Sequence, residues 1–479
     1  MPYSKDMRIL ILGSGPASTQ VLQTLSETLS GQSDVRVQIL TYDHKNGQDF
    51  IHAHEALKSE EQSAVYFQTP RIAPLSVSTV DEVWGSFTLG GWGNVWGATL
   101  YEDPNQISED AALMGLFEDF QLSNHPKRKV PEFLANRKEK KGKGSLGHSN
   151  HSSILISPLA IAPLSDDINS GCNQCGDCLS GCPMSHIWNP RKAFLKLLKP
   201  LRAEVVYGFA TRIHSSAGST EVHYINQNEP GKVTVISADV ILIGLGAIQS
   251  ASLLMRSKLI PSKTKVKDSQ MILVPFMRKD FRVVGKYESR IALSEGVTSD
   301  KLEVGDIQGD FFSQIYGYSK SLDKVICTRY SFFRFIPNSI RRNIFKFFGV
   351  AMIFLSEEFS GKLELSLSKF ETISQKSVLP SVSYSKVKPV LRKNFKEKGL
   401  FLLTALSKVY PVGKSYHLGN IFETEKSLFD FDTGNLCSHK NIYILDGASL
   451  NRISSFPITI RIMKNADRIT KKLVESFKV

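Results

Sequence analysis

The sequence predicts an α/β fold: a discontinuous Rossmann-like domain, a second domain built on an antiparallel sheet, and an inserted ferredoxin-like cysteine loop. Three observations predict it. The N-terminus passes from an apolar strand at residues 8–12 through Gly13-Ser14-Gly15-Pro16-Ala17-Ser18 into a helical pattern with Val21, Leu22, Leu25 and Leu29 on one face. A second strand, Val35 to Tyr42, closes a βαβ unit and ends at Asp43. From about residue 265 to 395 the pattern turns to alternation, as in Leu363-Glu364-Leu365-Ser366-Leu367, which marks a half-exposed antiparallel sheet. The C-terminus returns to the first style, with a strand from Ile442 to Leu445, a turn at Asp446-Gly447 and a helix from about Thr459 to Phe477.

With 479 residues, and roughly 150 residues per domain, the chain has room for two or three domains. Its 42% hydrophobic and 22% charged content excludes low-complexity disorder and a polytopic membrane protein. A net charge of +13 favours an anionic partner. The N-terminal apolar run, Ile9 to Leu12, is too short for a signal peptide, so export is not expected. Four of the six cysteines, Cys172, Cys175, Cys178 and Cys182, crowd into eleven residues, while Cys327 and Cys437 stand alone. In an unexported chain such clustering argues for metal over disulfides.

Between the two Rossmann-like ends, the Gly- and aromatic-rich stretch 85–101 reads as a close-packed loop. Residues 124–153, with Lys127, Arg128, Lys129, Arg137, Lys138, Lys140, Lys141 and Lys143 and no apolar period, read as a mobile basic surface insertion. The cysteine loop at 170–190 precedes a helix from Pro190 to Leu201. Strands are expected near 203–213, 220–226 and 232–237, followed by Val240-Ile241-Leu242-Ile243, an apolar run suited to a buried parallel strand. The expected Rossmann-like segments are 1–123, 191–264 and 401–479, with the cysteine loop within 154–190 and the second domain at 265–400.

Gly13-x-Gly15-x-x-Ser18 between a strand and a helix lets the backbone approach a pyrophosphate, whose charge suits the helix N-terminus. The bland alternative is a tight turn without ligand. Ser18 replaces the usual third Gly or Ala, and Asp43 is the candidate acceptor for a ribose hydroxyl, at a longer spacing than usual. Cys172-x2-Cys175-x2-Cys178-x3-Cys182-Pro183 is the spacing that places thiolates around a [4Fe-4S] cluster. A structural zinc and a cluster-free relic loop are the competing readings. In two-cluster ferredoxins the fourth cysteine of such a run serves the other cluster, so either Cys182 or a distant thiol such as Cys437 completes the site.

Four blocks, taken in order, resemble the glucose-methanol-choline (GMC) FAD oxidoreductases. They are the N-terminal glycine turn, Gly90-Gly91-Trp92-Gly93-Asn94-Val95-Trp96-Gly97, Gly246-Ala247-Ile248-Gln249-Ser250, and Tyr416-His417-Leu418-Gly419 before Leu445-Asp446-Gly447. The cysteine run is similar to an insertion found in an iron-sulfur-containing bacterial branch. The resemblance implies FAD, with Gly13, Gly15 and Ser18 at its pyrophosphate and Asp43 at the adenosine ribose. Gly90, Gly91 and Asn94 would lie beside the flavin, and Gly246 and Ala247 near the adenine side. Asp446 and Gly447 would meet the phosphate-ribityl region, and Ile458 is also implied as a cofactor-binding position.

His417 matches the family's catalytic histidine, which takes the hydroxyl proton of an alcohol as hydride leaves for the flavin. A neutral imidazole suits that work near pH 7; the bland alternative is a satisfied core histidine. The family's second catalytic position, His or Asn, is replaced here by Ser454-Ser455-Phe456-Pro457-Ile458-Thr459, so Ser455 or a substrate group must complete the hydrogen bonding. The implied reaction is oxidation of an alcohol, plausibly on a sugar or lipid-linked sugar. Coexistence of FAD with a one-electron cluster implies a partner such as ferredoxin or a quinone-linked acceptor instead of oxygen. Two alternatives are a ferredoxin-driven flavin reductase and a non-catalytic electron carrier within a complex.

Residues 329–355 interleave Phe332, Phe333, Phe335, Ile336, Phe345, Phe347 and Phe348 with Arg334, Arg341, Arg342 and Lys346, and 347–355 is wholly apolar. Nine residues fall short of the roughly 20 that span a bilayer. This stretch is either a buried element or an interfacial anchor on an anionic membrane surface. No nucleic-acid recognition motif accompanies the positive charge. The expected location is the cytoplasm, either free or peripheral at a membrane.

Overall fold

The computed structural model describes residues 7–29, 34–43, 78–79, 88–95, 97–101, 154–156, 159–162, 172, 178, 186–216, 219–278, 293–319, 323, 327, 331–369, 373–415, 417–423 and 426–477. The predicted insertion at 124–153 lies outside them.

The Met7–Leu12 strand is the hub of an eight-stranded sheet. It pairs in parallel with Val35–Thr41 on one side and with Val240–Ile243 on the other. His439–Ile444 extends the parallel set beyond Val240–Ile243, and Glu204–Ser216 extends it beyond Val35–Thr41. The antiparallel strands Ser219–Asn226 and Val233–Ala238 finish one edge. Residues near 10 and near 440 therefore share one sheet.

Both faces of this sheet are covered, which is why the central runs Ile9 to Leu12 and Val240–Ile243 are wholly apolar. Ile9, Ile11, Val37, Val240 and Leu242 pack beneath the helices Pro16–Thr28, Pro190–Leu201 and Ile458–Phe477, through Val21, Leu25, Phe194, Ile469 and Leu473. The alternate residues Leu10, Leu12, Ile241 and Ile243 meet the Ala247–Arg256 helix through Ala251 and Leu254 on the other face. Pro190 sits at the first helical position after Asn189, whose side chain accepts from the Arg191 and Lys192 amides. This cap and proline fix the start of that helix where the sequence places it.

The alternating region forms two sheets, antiparallel except where Ser78–Thr79 pairs in parallel with Ile373–Val378. Leu400–Leu402, Met271–Arg278, Phe348–Leu355, Ile307–Gly317, Gly296–Val304 and Leu155–Ile156 run in that order, with Lys408–Val409 also pairing to Met271–Arg278. A five-stranded sheet orders Leu418–Gly419, Lys263–Asp268, Lys362–Leu367, Ile373–Val378 and Ser78–Thr79. Leu363 and Leu365 of this second sheet reach the core beside Ile241 and Ile243. The segment from 401 onward joins the eight-stranded sheet only from residue 435, through Asn435–Leu436 at its edge and the parallel strand His439–Ile444.

Phe348–Leu355 is an internal strand. Ala351, Ile353 and Leu355 pack against the Tyr384–Glu397 helix side with Val387, Leu391 and Phe395, while Phe354 faces the opposite cluster with Phe312 and Phe456. Its unbroken apolar run thus reflects burial on two faces and settles the buried-element reading for 348–355. Among the described residues no helix is long and apolar enough to cross a membrane.

Candidate active site

The site lies at the carboxyl ends of the parallel strands, where close backbone approaches link three turns. Gly13 has φ +98°, and a Cβ there would strike the Gly244 carbonyl; a Cβ on Gly244 would lie 2.7 Å from Ser18 Oγ. The turns after Met7–Leu12 and Val240–Ile243 therefore interlock only without side chains. Gly15 caps the Pro16–Thr28 helix with extended geometry; no side chain caps it and its first turn carries no acid. The unsatisfied N–H groups and positive end of this helix remain suited to an anion. A Cβ on Gly15 would meet nothing within 4 Å.

The Gly90 loop closes over this turn. A Cβ on Gly91 would come 3.8 Å from Gly15 Cα, and Gly93 lies between Pro16 and Pro190, the first residues of two helices. Ser14 Oγ accepts from the Gly90 amide at 3.1 Å and from Thr41 Oγ1 at 2.9 Å. Asn94 Nδ2 donates to the Leu89 carbonyl at 2.8 Å. The structure thus brings together Gly13, Gly15, Ser18, Gly90, Gly91 and Asn94. Asp43 joins them in a role the sequence did not suggest: its buried carboxylate accepts from the Leu89 amide at 3.1 Å and from Arg191 at 3.4 Å.

Asp446 ties the second pair of turns. Its carboxylate accepts from the Gly246 amide at 2.7 Å, Ser250 Oγ at 2.6 Å and the Ala448 amide at 2.9 Å. Burial raises its pKa against these hydrogen bonds. Gly246 has φ +86° and, like Gly15, open space where a Cβ would stand. Ala247 begins the following helix and packs into the core. Ile458 begins the last helix and packs with Leu450 and Ile453. Cβ atoms on Gly447 and Gly419 would strike the Leu418 and Gly447 carbonyls respectively, so this turn receives backbone to backbone the Leu418–Gly419 strand, which His417 immediately precedes.

The His417 ring stacks on Phe354 at 4.3 Å between centroids and 20° between planes. Its backbone is held at both groups: the amide donates to Ser415 Oγ at 3.1 Å and the carbonyl accepts from the Ser269 amide at 3.0 Å. Ser415 in turn donates to the buried carboxylate of Asp268, which also accepts from the Gly413 amide at 2.9 Å. Burial outweighs those hydrogen bonds and pushes Asp268 up to about 6, and burial pushes His417 down to about 3. His417 is therefore a neutral imidazole at pH 7. Its Nδ1 finds no hydrogen-bond partner among the described residues. Ser455, one of the two groups expected to complete its bonding, is buried and donates its hydroxyl to Asp310 instead.

Asn420 was not foreseen. It is buried at φ +50°, a conformation Asn tolerates better than most residues; its amide donates to the Gly447 carbonyl at 3.0 Å, and its Oδ1 has no partner among the described residues. Ser18 Oγ and Asn94 Oδ1 are buried and unpartnered in the same sense. Only the Asn after Tyr416-His417-Leu418-Gly419 could have signalled this position in sequence. The open spaces at Gly15 and Gly246 and these unpartnered polar atoms fit a bound dinucleotide, since buried polar groups normally have partners.

Of the expected metal ligands, Cys172 and Cys178 are thiols packed against one apolar group with Ala98, Trp188, Ile460 and Met463. Cys175 and Cys182 lie outside the described residues. Among the described residues, no group of three or more His, Cys, Asp or Glu side chains could hold a metal ion. Cys437 is exposed in the turn between Asn435–Leu436 and His439–Ile444.

Fold and site together define an α/β protein with a glycine-lined cradle against an antiparallel sheet. The crystal structure of pyridoxine 4-oxidase from Mesorbium loti is similar to this chain, with a TM-score of 0.58, 11% sequence identity, and coverage of 98% of this chain and 99% of that one. At that identity the likeness establishes the fold. No protein-family model matches the sequence, and no curated protein matches it.

Proposed function

We propose that the chain is an FAD-dependent oxidoreductase acting on CH–OH donors, a member of the GMC class by the order of its four sequence blocks. The observation that carries this reading is His417: buried, neutral, stacked on Phe354, and set immediately before the Leu418–Gly419 strand that rests on the Asp446-Gly447 turn. The fold shared with an oxidase supports it. Gly13, Gly15, Ser18 and the Gly90 loop would hold the pyrophosphate and flavin, and Asp43 the ribose. Bound FAD would supply the hydride acceptor. His417 takes the hydroxyl proton of the alcohol, leaving a carbonyl product, and Asp268 through Ser415 holds the backbone that aims it.

In this reading the cysteine run, Cys172, Cys175, Cys178 and Cys182, would hold a [4Fe-4S] cluster, which would supply one-electron transfer toward a ferredoxin or quinone-linked acceptor. The ferredoxin-like spacing of the run is what supports this part of the reading. Anaerobic rapid mixing with a panel of sugars and simple alcohols tests the assignment through loss of flavin absorbance. His417→Ala should retain FAD yet slow that loss by roughly 10²- to 10⁴-fold, the range for a positioned general base. Unchanged bleaching in the variant would make His417 structural, and bleaching by no alcohol would favour an electron carrier.

A further inference from the structure

The segment before the Phe348–Leu355 strand is built in two layers. In the inner layer Phe345 packs edge-on against Phe333, at 4.9 Å between centroids, and lies 5.9 Å from Tyr318. One largely buried guanidinium fixes the junction between the short turn Ser331–Phe335 and the Asn338–Phe345 helix: Arg341 donates to both Asp323 carboxylate oxygens at 2.7 Å and to the Phe333 and Ile336 carbonyls at 3.0 and 3.1 Å. Arg341 and Phe345, four residues apart, share the inward helix face.

The outer layer is apolar and open. Phe332, Phe335, Ile340 and Ile344 are 58%, 87%, 51% and 46% exposed. Ile340 and Ile344, again four apart, share the outward face. Arg334 and Arg342 are exposed beside them, and Lys346 lies over the Phe347 ring at 5.3 Å. Residues 331–346 contain no Asp or Glu, and the nearby Asp323 is neutralised by Arg341.

We propose that this rigid ridge docks the protein on an anionic lipid surface, with Phe332, Phe335, Ile340 and Ile344 entering the interfacial layer and Arg334 and Arg342 meeting headgroup phosphates. Apolar side chains rimmed by cations gain from acyl contact and anionic headgroups together. Charge selects this occupant over a second copy of the chain, because a two-fold contact on the ridge would oppose cation to cation in a protein of net charge +13. The inference stands apart from the flavin reading.

Co-sedimentation with phosphatidylcholine vesicles, with and without phosphatidylserine, tests it on the full chain. Wild type should pellet with the phosphatidylserine vesicles and be released by salt. Phe335→Asp with Ile344→Asp, and separately Arg334→Glu with Arg342→Glu, should each weaken binding by roughly tenfold or more while thermal melting stays unchanged. Wild type remaining in the supernatant at low salt would overturn the proposal. So would vesicle binding that survives both pairs of substitutions, or a solution dimer that Phe335→Asp dissociates in a protein that ignores vesicles.

Discussion

Burial moves His417 and Asp268 in opposite directions, and the pair makes a pH signature. The unfolded chain protonates His417 below its ordinary value of 6.5 and the folded protein only near about 3, so this stability is lost as pH falls through that window. Asp268 behaves oppositely: the folded state holds its proton between 3.8 and about 6, and the stability it brings is lost as pH rises through that range. Between about pH 4 and 6 the two proton uptakes offset one another. Asp268→Asn removes one side of that balance. Its stability deficit, measured by urea unfolding, should widen as pH falls from about 7 to about 4, by on the order of 3 kcal/mol; a deficit independent of pH would contradict the assignment. His417 itself was legible from its sequence block. Its neutrality was not, because the burial depends on Phe354 and Ser269, which pairing between distant strands brings alongside.

At the scale of elements, Gly13 and Gly15 belong to one motif yet answer to different physics. Gly13 needs a positive φ and has the Gly244 carbonyl where a Cβ would stand, whereas Gly15 has φ −72° and open space. Gly13→Ala should therefore destabilise the cofactor-free protein by about 1–3 kcal/mol. Gly15→Ala should change its stability by no more than about 1 kcal/mol but weaken FAD retention. Equal loss of stability in both variants, read from thermal melts, would mean that Gly15 serves packing and not a ligand. Local pattern revealed most elements because period and punctuation are local. Pro190–Leu201 begins and ends where its cap and apolar face predict, and Val240–Ile243 is the buried parallel strand its composition suggests. The run 347–355 was ambiguous because a strand buried on two faces and an apolar anchor have the same composition, and only pairing with Met271–Arg278 and Ile307–Gly317 separates them.

Across the whole molecule, the cradle is assembled from residues near 13, 43, 90, 246, 417 and 446, brought together by one parallel sheet and by backbone approaches at Gly13, Gly244, Gly419 and Gly447. The four blocks could be read in order, but the hydrogen bonds joining them could not. Asp43 to Leu89 and Asp446 to Gly246 span 46 and 200 residues, beyond any local pattern. The cysteine run makes a separate prediction at this scale. Anaerobic protein should carry about four iron and four sulfide per chain, lost in Cys182→Ser and kept in Cys437→Ser, because Cys437 sits in an exposed hairpin turn. Stoichiometric zinc without iron would reject the cluster. Bound dinucleotide is measured most directly as the cofactor released on denaturing protein purified without oxygen. The proposed flavoprotein function requires FAD close to one per chain, with the flavin absorbance bands present before release. Recovery of NAD alone, or of no nucleotide even after incubation with FAD, would contradict it.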